Sequence, residues 1–317
     1  MTNPFLAHNH PPAGIPAVPL HERQLKKTEV DLQRAATTTH RYTNIVASIQ
    51  EVGAGGVAAI GLTFAILDKA QNQVAIGGFL WFLFSALVLG HFAQKFAEQA
   101  ARIQETFDCR LFYLPWNETL APSACVSHPQ VVELAKKVKV GSPADKRITD
   151  GWYDPTDGLE YPYDVLITQE QNLAWDLRLR KRFRYILATI AVAWTTTGFI
   201  VTLAGTSMAE TLLVVFVPAA AAYDLGRERW RAQRHVESER TRLAELVADA
   251  LAEAQPGPIT PRKRSELQTL ARQVQDGTYR TRAEYGRVPG ILYRHYRTSD
   301  EDQLAQVAEV QRSRLAP

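Results

Sequence analysis

The sequence predicts a mainly α-helical integral membrane protein. Four transmembrane helices form two hairpins, joined by a small α+β cytoplasmic middle region and followed by a helical C-terminal tail. Three observations carry this reading. Residues 52–67, 74–94, 185–206 and 211–223 contain no charged side chain. The stretches come in pairs with short connections, at 68–73 and around 205–210. Among all the basic residues, Lys69 alone falls in either connection.

A bilayer core needs roughly 20 apolar helical residues. The stretches at 74–94 and 185–206 meet that length unaided. The first reaches it by borrowing the weakly polar run from Tyr42 to Gln50, with Glu51 near an interface. The fourth reaches it by starting near Thr206 and accepting Glu210 at its outer end. The expected spans are therefore about 46–67, 74–94, 185–205 and 207–223. Loops this short force antiparallel neighbours. Arg41 and Lys95 flank the first hairpin. Arg178, Arg180, Lys181, Arg182 and Arg184 precede the second, and Arg227, Arg229, Arg231 and Arg234 follow it. By the positive-inside rule, both termini and the middle region are cytoplasmic. The same clusters suit anionic lipid headgroups.

The soluble segments follow in order. Residues 1–20 are Pro-rich, without the basic-then-apolar pattern of a signal peptide, and read as a disordered lead. Residues 21–106 hold an N-terminal helix and the first hairpin. The second span continues as helix to about Thr106, on the spacing of Phe92, Phe96, Ala100 and Ile103. Within the middle region, 107–184, FDCRLFYLPWN reads as a short strand stopped by Pro115. HPQVVELAKKVKV reads as an amphipathic helix with Pro129 near its start, and GWYDPTDGLEYPYD as turns. A helix re-forms at Val165 and runs into the third span. After the second hairpin, 185–223, the tail 224–317 holds a long mixed-charge helix ended by Pro256, Pro258 and Pro261. A second helix is closed by Gly277, and a last one follows the Val288-Pro289-Gly290 turn.

The 317 residues carry 36 Lys+Arg against 33 Asp+Glu, a net charge of +3. So even a balance argues against DNA or RNA as a partner. Two cysteines, Cys109 and Cys125, support neither a disulfide framework nor a four-thiolate zinc site. There is no P-loop, GxGxxG, HExxH, CxxC or GxSxG pattern. Asp108, Asp154, Asp157 and Asp176 match no metal loop, and His91 reads as an interfacial side chain. No enzyme, metal or cofactor is implied.

The membrane features favour packing and a homo-oligomer. Gly53, Gly55, Gly56 and Gly61 permit close helix approach. Thr195 and Thr196 are candidate pore-lining positions in the third span, and Pro218 is a candidate kink in the fourth.

Five segments also carry a resemblance: FDCRLFYLPWN (107–117), GWYD (151–154), YPYDVLITQEQNLAWDLRLRKRFRY (161–185), LQTLARQVQ (267–275) and GRVPGILYRHYR (286–297). Their order and placement between two hairpins resemble the SMODS-associated four-transmembrane (S-4TM) effector family. Thr168 departs from the family pattern, which has a cysteine there. The resemblance implies a bacterial anti-phage effector at the inner membrane. It would respond to a cyclic or oligonucleotide signal from a partner nucleotidyltransferase and breach the bilayer, by pore formation or disruption, to abort infection. An anionic nucleotide needs cations and an aromatic platform; Arg178, Arg180 and Arg182 with Trp152, Tyr153 and Trp175 are the candidates. The alternative is a membrane scaffold or signalling adaptor that recruits a partner through its charged tail.

Overall fold

The computed structural model describes residues 16, 18–66, 71–121, 127–156, 158–205, 207–255, 257–285, 288–293, 295–296, 306, 310 and 312–314. The expected disordered lead falls almost wholly outside them. So do Lys69, Cys125, Pro256 and most of the expected last helix.

Among the described residues up to Tyr285, ten α-helices follow one another: α1 (Leu20–Gln24), α2 (Lys27–Ile66), α3 (Gln71–Phe84), α4 (Gly90–Phe112), α5 (His128–Ala135), α6 (Pro143–Thr149), α7 (Tyr163–Leu203), α8 (Met208–Thr211), α9 (Val217–Ala252) and α10 (Pro261–Tyr285). A π turn at Ser85–Leu89 joins α3 to α4, and another at Leu212–Phe216 joins α8 to α9. Each junction is therefore an inserted residue within a longer rod, not a break.

Helices α2 and α7 and the α3–α4 rod each have two halves with opposite surfaces. Ile60, Phe79, Leu80, Leu87, Val192, Phe199 and Leu203 are all more than half exposed. An apolar face this extensive is unstable against water and matches lipid. The other halves converge on one core. It takes Leu32 and Ala35 from α2, Ile103, Phe107 and Leu111 from α4, and Leu166, Ile167 and Leu173 from α7. Leu243 and Val247 of α9 and Ala271 and Val274 of α10 complete it. Helices Lys27–Phe64, Ile76–Phe112 and Tyr163–Leu203 are long and apolar enough to cross a membrane. The fourth apolar stretch is helical from Met208 through the π turn into α9, but is not among those three.

The hairpins close on glycine–aromatic contacts. A Cβ on Gly53 would lie 1.9 Å from Trp81 Cζ2, and one on Gly198 would lie 2.7 Å from Phe216 Cζ. Only a bare Cα leaves room for either ring. Across the second hairpin, the hydroxyls of Thr202 and Thr211 are 3.0 Å apart, and those of Thr195 and Tyr223 are 2.8 Å apart.

Two expectations are corrected. Residues 107–112 are the end of α4, and no strand occurs among the described residues. Phe107, Asp108, Cys109, Leu111 and Phe112 are all buried. A helix covered on every side shows no stripe, so its short apolar run mimics a strand. The helix stops at Tyr113, whose φ of 54° is left-handed. The Arg23 guanidinium lies over the Tyr113 ring at 4.6 Å and holds it there. Nor does Gly277 close a helix, because α10 runs through it to Tyr285. Gly277 instead admits α9: a Cβ there would meet Leu243 Cδ1 at 2.7 Å.

Candidate functional site

Two buried polar networks lie where the helices leave the apolar region, and α10 takes part in both. In the first, Glu105 and Asp108 stand one turn apart on α4. Facing them, Arg272 donates to Glu105 Oε1 at 2.6 Å, and Gln275 donates to Glu105 Oε2 at 2.7 Å and Asp108 Oδ2 at 3.0 Å. Arg282 donates to Asp108 Oδ2 at 2.6 Å, and the Tyr153 hydroxyl to Asp108 Oδ1 at 2.9 Å. Burial works against the charged form of Arg272, but Cys109, Glu105 and Asp276 outweigh it and raise its pKa. The Cys109 thiol is pushed well above its ordinary value by burial and by Glu105. It is a neutral donor to Glu105, not an activated nucleophile.

The second network ties α7 to α9 and α10. Asp176 Oδ2 accepts from Arg180 Nε at 2.8 Å and is ion-paired with Arg240 Nε at 3.1 Å. Arg180 also donates to Gln233, Arg240 to the Thr278 hydroxyl, and Arg184 to Glu237. Burial pulls the Arg240 guanidinium down to about 10, with Asp176 resisting. Removing one partner of such a buried pair costs about 3–5 kcal/mol.

The candidate ligand residues lie in three environments. Trp152 packs against the main core, and Tyr153 is buried between Phe107 and Phe112. Arg180 is buried in the second network. Trp175 and Arg182 share a third place with the C-terminal segment. Trp175 meets Tyr293 edge-on at 4.9 Å, and Arg182 lies 4.3 Å from the Tyr296 ring centre. Arg178 is one turn from both on α7.

The candidate packing and pore residues also diverge. Gly53 is enclosed by Trp81, whereas Gly55 and Gly56 have open space where a Cβ would go. The Thr195 and Thr196 hydroxyls donate to the carbonyls of Ala191 and Val192 at 2.9 Å, so neither brings an unmet donor into lipid.

Sequence reasoning missed Glu105, Arg240, Arg272 and Arg282, whose ion-pair partners on other helices lie 64 or more residues away. One signal was present: Glu105 and Asp108 on α4, and Arg272 and Gln275 on α10, each share a face at i, i+3.

A helical protein with membrane-length apolar rods bolted together by buried ion pairs is defined by these features. The chain belongs to the family described as the SMODS-associating 4TM effector domain, which matches residues 19–310. It is similar to a probable CBASS effector molecule of Bacillus cereus (strain VD146), with 23% identity over 90% of this chain and 96% of that one. No solved structure matches it.

Proposed function

We propose that this protein is the membrane effector of a bacterial nucleotide-signalled anti-phage system. Its four apolar stretches span the inner membrane as two hairpins with both termini cytoplasmic. On receiving a cyclic or oligonucleotide from a partner nucleotidyltransferase, homo-oligomers open or disrupt the bilayer and abort infection. Family membership and the named similarity of the Bacillus cereus relative support the signalling context.

The observation that carries the mechanism is the continuity of α7. Leu166, Ile167 and Leu173 sit in the soluble core, and the same unbroken helix ends in the exposed apolar run to Leu203. A signal that moves the core end must move the apolar end. The ligand contact is assigned to the α7 face of Trp175, Arg178 and Arg182, with Trp152 at the neighbouring loop. Tyr153 and Arg180 transmit through the two networks. A ligand can shift the helix only by binding one of its arrangements better.

The test expresses wild type and Trp175→Ala at matched membrane levels, supplies the cognate synthase, and follows membrane potential. The expected result is depolarisation by wild type only. Depolarisation by both at one rate removes the α7 face as the sensor. Depolarisation by neither removes membrane disruption. A scaffold would instead capture a partner without changing the potential.

A further inference from the structure

The arginine cluster after the fourth apolar stretch lines a cleft of about 720 Å³ between α2, α4, α9 and the end of α10. Its lining joins apolar Ala47, Phe82 and Ala86 to polar Asn44, Arg229 and Arg231. From Phe82 to Ala97 the cleft follows its helix for roughly 22 Å, at the ordinary rise per residue. It thus begins inside the uncharged run of residues 74–94 and ends beyond it. We propose that this cleft binds one anionic phospholipid, with its phosphate on Arg229 and Arg231 and the start of an acyl chain along Phe82 and Ala86.

Three features select this occupant. First, the Arg229 Nε is shielded from solvent and has no hydrogen-bond partner among the described residues. A buried guanidinium donor without an acceptor calls for an oxyanion. Arg229 is also within electrostatic reach of Glu51, so a bound phosphate shares this guanidinium with a carboxylate. Second, the charge of the cleft is local. Asp224, Glu228 and Glu284 share the lining. Asp224 holds Arg227 at 2.6 Å, and Glu284 bonds Tyr285. Three arginines face three carboxylates in the lining, so the cleft gives no strong field for a soluble polyanion. Third, Trp230 stands between the two arginines in the chain, with Arg234 5.1 Å from its ring centre. A tryptophan among arginines at the end of an apolar run marks headgroup level. The apolar end then faces acyl chains, which a free nucleotide lacks.

The test uses the full chain in nanodiscs of mixed dioleoyl phosphatidylcholine and dioleoyl phosphatidylglycerol, with native mass spectrometry of the released protein. Wild type should retain one phosphatidylglycerol per chain. Arg229→Gln should retain about fivefold less, as expected for one arginine at a charged surface, and R229Q/R231Q less again. Ala86→Phe fills the apolar end without changing charge and should also lose the lipid. If the double variant unfolds, Ala86→Phe and Arg231→Gln, at exposed positions, decide the matter. Soluble glycerol 3-phosphate and cyclic di-AMP should not displace the lipid. Equal retention of phosphatidylcholine, undiminished retention in the variants, or displacement by either soluble phosphate overturns the proposal. None of these readouts depends on signalling or toxicity.

Discussion

Asp176 of α7 lies between two arginines of different helices, 2.8 Å from Arg180 Nε on its own helix and 3.1 Å from Arg240 Nε on α9. Both guanidiniums are almost fully enclosed. One carboxylate is therefore shared by two buried cations at the point where the second hairpin enters the soluble core.

Asp176→Asn leaves Arg180 and Arg240 without the carboxylate that they share. The expected loss is about 3–5 kcal/mol, the usual cost of orphaning a buried ion. Burial alone would raise the Asp176 carboxyl, but the two arginines overcome it and hold it at about 2. A depressed carboxyl contributes stability above its unfolded value near 4, and that contribution is lost as pH falls toward 2. Thermal unfolding in detergent at pH 7 and across pH 4 to 2 should show a large wild-type advantage that shrinks in acid. A constant advantage would mean that the pair is not ionic.

Gly277→Leu forces a side chain into the space held by Leu243 and Glu239. Overpacking of this kind costs about 1–3 kcal/mol. Gly277→Ala should fall within about 1 kcal/mol of wild type, because the gain in helix propensity offsets a small shift of Leu243. Equal stability of the leucine and glycine proteins would remove the close α9–α10 contact.

Gly53→Leu and the pair Gly55→Leu/Gly56→Leu should differ in kind. The first collides with Trp81 within the chain, whereas the second meets nothing in it. Gly53→Leu should therefore lower the folded fraction of the single chain. The double variant should keep the chain folded but reduce crosslinked oligomers. Unchanged crosslinking would place the interface between copies elsewhere.

Met208, at the start of α8, and Val140, between α5 and α6, are both strongly exposed. After Cys125→Ser, a cysteine at 208 should react with an impermeant reagent in intact cells, and one at 140 only after lysis. The reverse pattern would invert the proposed orientation.

The uncharged runs, their pairing, and the continuity of α7 were legible in the sequence because each depends on neighbours along the chain. The sequence offered Gly53 as a candidate packing residue, but not Trp81 as the ring beside it. The end of α4 was misread as a strand, since burial on every side erases the periodicity that distinguishes the two. Gly277 was misread as a terminator, since the same missing side chain serves a turn and a close helix crossing. Only the tertiary structure decided which charges meet. Glu105 with Arg272 and Asp108 with Arg282 pair across 167 and 174 residues. A shared i, i+3 face does not by itself separate these arginines from the solvated ones beside them. The difference arises when three helices exclude water around a carboxylate, which makes an ordinary side chain into a buried ion that needs its partner.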